Sequence, residues 1–182
     1  MTTDTNPVGG YAPDFELPSI DKKVYHLGRY LAEFKTIAVV FIDNDSPEVA
    51  RYLDRLKAIQ AEFEPQGFTL IGINSNDDRD SLANSVEKMQ NFAREQDLNF
   101  PYLRDPTQDV AKSFKVKVMP TVFLLDNQTI IRYAGKIDDR DQDNNYTQDY
   151  LSNSIKSILA GKAIEPNYIP PVGSPIQWRQ NK

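Results

Sequence analysis

The sequence predicts an α/β fold in which a central mixed sheet is flanked by helices, with an N-terminal β-hairpin and an extended C-terminal tail. Three observations carry this. Residues 36–42 and 68–73 are continuous apolar runs rich in β-branched and aromatic side chains, the pattern of strands buried on both faces of a parallel sheet. Between them Val49, Leu53, Leu56 and Phe63 fall at helical intervals, so strand, helix and strand make one βαβ unit. Farther on, 121–125 and 129–137 flank Asp126-Asn127 and read as an antiparallel hairpin, which makes the sheet mixed.

Residues 1–10 are polar and read as a flexible arm, followed by a domain over 11–161. Tyr11 to Pro18 and Lys23 to Leu27, joined by Ile20-Asp21-Lys22, are two short extended pieces that form a hairpin. The strand at 36–42 ends in Asp43-Asn44-Asp45-Ser46-Pro47-Glu48. Ser46 fits an N-cap, Pro47 the first helical position, and Glu48 the positive end of the helix dipole. That helix is expected to run unbroken to about Glu64, with Gly67 just beyond it. A second helix is expected over 81–96, with Val86, Met89, Phe92 and Ala93 inward, and a short one capped by Asp105 or Thr107. A last amphipathic helix over 147–159 turns Tyr150, Leu151, Ile155, Ile158 and Leu159 inward and stops at Gly161. Residues 162–182 hold four of the twelve prolines and the only tryptophan, so they form a proline-rich tail and not a further domain.

Composition removes several function classes. At 182 residues the chain is one domain with a tail. Its 26 acidic and 21 basic side chains leave a net charge of -5, which creates no cationic field for a phosphate backbone, so no nucleic acid is expected as partner. No run approaches the length of a membrane span, and the first ten residues lack a basic segment followed by an apolar one; a cytoplasmic location is expected. There is no cysteine and only one histidine, His26. Disulfides, thiolate metal sites and thiol nucleophiles are therefore excluded, and no cofactor is expected.

Several segments carry a family resemblance: Ala12-Pro13-Asp14-Phe15-Glu16-Leu17-Pro18, Phe41-Ile42-Asp43-Asn44-Asp45-Ser46-Pro47, Ile73-Asn74-Ser75-Asn76-Asp77, Phe100-Pro101-Tyr102-Leu103-Arg104-Asp105, Val118-Met119-Pro120-Thr121, Tyr133-Ala134-Gly135-Lys136-Ile137-Asp138-Asp139 and Gly173-Ser174-Pro175-Ile176-Gln177-Trp178. In this order they resemble the thioredoxin-like redoxins, the branch that includes peroxiredoxin-like and alkyl-hydroperoxide-reductase-like proteins. The resemblance implies a thioredoxin-like fold and a cis peptide bond before Pro120. It also implies a redox site from which the sulfur has gone: the two cysteine positions of the first-helix motif hold Asp43 and Ser46, that near the proline holds Val118, and that in the tail holds Ser174. Without a thiolate, neither thiol–disulfide exchange nor peroxide reduction by a redoxin can proceed.

The expected function is therefore that of a redox-inactive protein-binding subunit, assembly factor or regulator, not an enzyme. Its contact face is expected at Asp43, Asn44, Asp45, Ser46, Pro47, Met119 and Pro120, with possible tail contacts at Tyr168, Pro170, Pro171 and Trp178. The alternative is a divalent-metal site or metal-assisted enzyme built on Asp43, Asp45 and neighbouring carboxylates such as Glu48 and Asp77. The acidic run 138–145 does not make a calcium loop, since Asn144 stands where glycine is needed and Tyr150 where a bidentate glutamate is needed. The partner's identity and the choice between monomer and dimer are not encoded in any motif.

Overall fold

A computed structural model describes residues 5–79 and 84–181. β1 (Glu16–Pro18) and β2 (Val24–His26) form the N-terminal antiparallel hairpin, and α1 (Leu27–Leu31) buries Leu27 and Leu31. Every residue of β3 (Thr36–Phe41) is buried, as its unbroken apolar run requires. The chain then enters α2 (Pro47–Ala50), α3 (Leu53–Phe63) and a single 3₁₀ turn before Gly67, whose φ of 95° reverses the chain into β4 (Phe68–Asn74). After α4 (Val86–Glu95) come β5 (Tyr102–Arg104), α5 (Asp109–Ser113), β6 (Val118–Met119), β7 (Thr121–Asp126), β8 (Ile131–Gly135) and α6 (Tyr150–Leu159). The tail adds β9 (Tyr168–Ile169) and β10 (Ser174–Pro175).

The main sheet has the order β5-β4-β3-β7-β8-β9. β3 pairs parallel with β4 from Thr36↔Phe68 to Phe41↔Ile73 and antiparallel with β7 from Thr36↔Asp126 to Phe41↔Thr121. The mixed sheet and both hairpins are thus as expected. α3 and α6 are neighbours, tied by the Arg55–Asp149 ion pair. Phe15, Phe41, Phe114 and Phe123 interlock in the core, with the rings of Phe114 and Phe123 4.9 Å apart and inclined at 61°.

Beyond shifts of a few residues at element ends, with the last helix starting at Tyr150, β8 confined to Ile131–Gly135 and Gln108 at the cap of α5, three features differ from the sequence reading. The helix expected from 47 to 64 is broken at Arg51 and Tyr52, because the Arg140 guanidinium donates to the Arg51 carbonyl at 2.5 Å and lies 4.7 Å over the Tyr52 ring. Tyr52 N–H meanwhile turns to the Val49 carbonyl, one residue short of the α-helical partner. α4 begins at Val86 with Ser85 as its cap, and Val86 is exposed where it was expected inward; the start expected at 81–83 lies outside the described residues. Of the arm expected to be flexible, the described part is stitched along β8: Gly9 N–H donates to Ile131 O, Ile131 N–H to Gly10 O, and Ala12 N–H to Thr129 O.

Candidate functional site

The polar turn after β3 stands at the carboxyl end of a central parallel strand, where open α/β sheets hold their ligands. Asp43 opens it and is only 3% exposed. Its Oδ1 accepts from Ser46 N–H at 3.0 Å and its Oδ2 from Asn76 Nδ2 at 2.9 Å. Burial pushes the Asp43 carboxyl up to about 6, against the hydrogen bonds from Ser46 and Asn76, and the nearby Asp45 carboxylate adds to the rise. Ser46 caps α2 by accepting from Val49 N–H at 3.5 Å. Its hydroxyl donates to Ser174 Oγ at 2.6 Å.

That last bond brings in the tail. β10 pairs antiparallel with β6, Ser174 opposite Met119 and Pro175 opposite Val118, and the Met119–Pro120 peptide bond is cis, as the resemblance implies. The backbone edge ahead of the cis proline is therefore already filled by the chain's own residues 174–175. Gly173 permits the approach: a Cβ there would lie 2.0 Å from Met119 O. Beyond β10 the tail is held by side chains of the loop after β4. Gln177 N–H donates to Asn76 Oδ1, Asp77 N–H to Gln177 O, and Arg179 Nε to Asp77 Oδ1 at 3.3 Å. Asn76 thus holds Asp43 with its amide nitrogen and the tail with its amide oxygen.

A buried polar layer supports this loop. Arg104 donates to Asn74 O and Asn76 O and pairs with Asp78, while Tyr102 donates to Asn44 Oδ1 at 2.7 Å and accepts from Asn74 Nδ2. These mutual hydrogen bonds offset most of the cost of a polar layer in the interior, while Arg104 Nε is left without a partner among the described residues.

Of the expected contact residues, Asp43, Ser46, Met119 and Pro120 are buried, Asn44 is half-buried, and Asp45 and Pro47 are exposed. Tyr168 is built into the main sheet, Pro171 is half-buried, and Pro170 and Trp178 are exposed. Beside Pro120 opens a cleft of about 340 Å³ bordered by Glu48, Arg51, Lys136, Arg140 and Val172. Of these, sequence reasoning singled out only Glu48. Arg140 and Val172 come from the loop and the tail, and no local pattern marks them as neighbours of the motif.

The metal alternative is not supported by the donor geometry. Both Asp43 oxygens are engaged by protein donors, and Asp77 is spent on Arg79 and Arg179. Among the described residues no three histidine, aspartate or glutamate side chains converge as a ligand set. In the acidic loop, Asp139 accepts from Thr147 and Gln148 N–H, and Asp141 from Asp143 and Asn145 N–H, so these carboxylates stabilise their own loop. His26 stands apart at the end of β2, 3.6 Å from Asp14.

The sequence pattern of the AhpC/TSA family matches residues 8–134. The chain belongs to the AhpC/TSA family. No curated protein sequence matches it. Among solved structures, it is similar to a hypothetical protein from Sinorhizobium meliloti 1021, at 27% identity and a TM-score of 0.92 over 98% of both chains. It is equally similar to an uncharacterized conserved protein from Geobacillus kaustophilus, at 28% identity and a TM-score of 0.92 over 98% of this chain and 96% of that one. The thioredoxin domain of a thiol-disulfide oxidoreductase from Bacteroides vulgatus shares 19% identity over 70% of this chain and 86% of its own, with a TM-score of 0.59. The fold is thioredoxin-like, and this AhpC/TSA-family chain contains no cysteine. Among the described residues no helix is long and apolar enough to cross a membrane.

Proposed function

We propose that this chain is a redox-inactive AhpC/TSA-family protein that acts by binding another protein, as a subunit, assembly factor or regulator in the cytoplasm. The observation that carries the reading is the Ser46–Ser174 hydrogen bond. Two hydroxyls meet where the family resemblance leads one to expect sulfur, and the surrounding scaffold is kept down to the cis bond before Pro120. A hydroxyl pair offers no thiolate to attack a peroxide or a disulfide, so what the retained face can still offer is recognition.

The contact surface on this reading is the accessible part of that face: Asp45, Pro47, the cleft beside Pro120, and Val172, which is 71% exposed at its edge. The cleft mixes Glu48 with Arg51, Lys136 and Arg140, which suits a partner segment carrying both charge signs. The test is affinity purification of the full tagged chain from its native cells, beside Asp45→Arg and Val172→Asp. Both substitutions lie on the surface and leave the core intact. A stoichiometric partner that is lost with either variant is the expected result; a chain that elutes alone, or a partner retained by both variants, overturns the proposal.

A further inference from the structure

A second cavity, of about 660 Å³, shares no lining residue with the cleft beside Pro120. Its lining includes the buried apolar side chains of Phe114, Val116 and Phe123, and Tyr168 and Trp178 add aromatic surface. Three ammonium groups, those of Lys112, Lys115 and Lys117, stand around it, and among the described residues no carboxylate lines it. In a chain with a net charge of -5 this is a local inversion of sign.

The arrangement follows from the sequence. Along Phe114-Lys115-Val116-Lys117-Val118 the side chains alternate in burial, so phenylalanine and valines face inward while the intervening lysines stay exposed. Lys115 has a φ of 57°, a left-handed conformation that glycine or asparagine would adopt more easily. Neither Lys112 nor Lys115 has an ion-pair partner among the described residues, so an incoming anion can meet these two ammonium groups without displacing a carboxylate of those residues from them.

We propose that this cavity is a binding site for a small aromatic anion, a linked- or fused-ring body bearing one carboxylate or sulfonate. The volume is in the range that small-molecule sites of roughly 300–1,000 Å³ occupy. The rings of Phe114, Phe123, Tyr168 and Trp178 favour a flat aromatic body over a flexible chain, because stacked and edge-on ring contacts add to simple burial. The lysines supply the charge preference, acting at the edge of a low-dielectric pocket where attraction is stronger than in open water. This site is independent of the protein-binding reading given above.

Trp178 is the only tryptophan, which gives the test its reporter. The full chain is titrated with anilinonaphthalene sulfonate and, separately, with the uncharged N-phenylnaphthylamine, which has the same ring body without the anion. Energy transfer from Trp178 to bound dye is followed. The expected result is saturable transfer at one equivalent of the sulfonate, with binding weakened about tenfold or more in the Lys112→Glu, Lys115→Glu double variant. The uncharged dye binds more weakly than the sulfonate to the native chain, and equally well to both proteins, which shows that the cavity persists. Should the reversal abolish both dyes, the milder Lys112→Gln, Lys115→Gln pair decides by the same criterion. No saturable transfer at millimolar dye, equal affinity for both dyes on the native chain, or sulfonate affinity unchanged by the lysine substitutions overturns the proposal.

Discussion

Ser46 Oγ donates to Ser174 Oγ across 2.6 Å, joining the cap of α2 to a strand of the tail 128 residues later. The family resemblance places a cysteine at each position, and the structure places the two side chains within reach of one another. Replacing both with cysteine is therefore expected to close a disulfide, since the β-carbons already hold their terminal atoms in contact. The double variant Ser46→Cys, Ser174→Cys should lose two hydrogens in intact mass on mild oxidation. In the chain-entropy view it should also gain about 3–5 kcal/mol of stability over its reduced form. A double variant that stays fully reduced under oxidant would show that the two positions are not poised for a bond.

Asp43 makes the fold sensitive to pH with an unusual sign. The folded carboxyl titrates at about 6 and the ordinary value is 3.8, so between about pH 4 and 6 the folded state binds the proton more tightly than the unfolded chain. Stability then falls as pH rises through that window. A shift of about two units sets an upper bound of about 3 kcal/mol. Asp43→Asn keeps an acceptor for Ser46 N–H and gives up the bond to Asn76, a loss that does not depend on pH. Urea unfolding from pH 4 to 7 should show the native chain losing stability relative to Asp43→Asn as pH rises, with the difference flat above about pH 7. An unchanged difference across the range would assign the burial cost elsewhere.

Two glycines clamp the tail. A Cβ on Gly173 would lie 2.0 Å from Met119 O, and one on Gly135, at a φ of 127°, would lie 1.7 Å from Ile169 O. Both obstacles are backbone, which cannot swing aside. Gly173→Ala is expected to release β10, and Gly135→Ala to release β9, each costing about 2 kcal/mol or more. Hydrogen exchange reads this directly. Ile176 N–H, which donates to Lys117 O, should lose protection in the first variant, and Lys136 N–H, which donates to Ile169 O, in the second.

Arg140 ties the loop after β8 to the break between α2 and α3. It pairs at 3.1 Å with Asp138, which is fully buried, and donates to Arg51 O. Arg140→Ala strands a buried carboxylate and is expected to cost about 3–5 kcal/mol. Adding Asp138→Ala should recover part of that loss, and a double-mutant cycle by denaturant unfolding measures how much. Full additivity of the two losses would remove the pair from the account.

Much of the architecture was written locally. The runs at 36–42 and 68–73 could only be strands with both faces covered, and β3 and β4 are buried throughout. Ser46-Pro47-Glu48 spelled a helix start, and Ser46 does accept from Val49 N–H. The hairpin about Asp126-Asn127 was legible from its turn. The α2–α3 break was not, because its cause, Arg140, is 89 residues from the Arg51 carbonyl it takes. Val86 was misread because helical periodicity identifies an apolar face but not where the helix meets the sheet. The tail was legible as extended, whereas its seat against Met119 depends on backbone approaching backbone at Gly173.

By itself, then, the sequence determined what chemistry is absent, since a chain with no cysteine has no thiolate wherever its residues fall. It also determined the elements whose periodicity and caps are local. Only the tertiary structure decided that Ser46 faces Ser174, that Asn76 bridges Asp43 to the tail, and that three lysines gather around an apolar cavity. The physical reason is sequence separation: these relationships are contacts between segments far apart along the chain, set by how strands register and helices pack, and no short window of residues contains both sides of them.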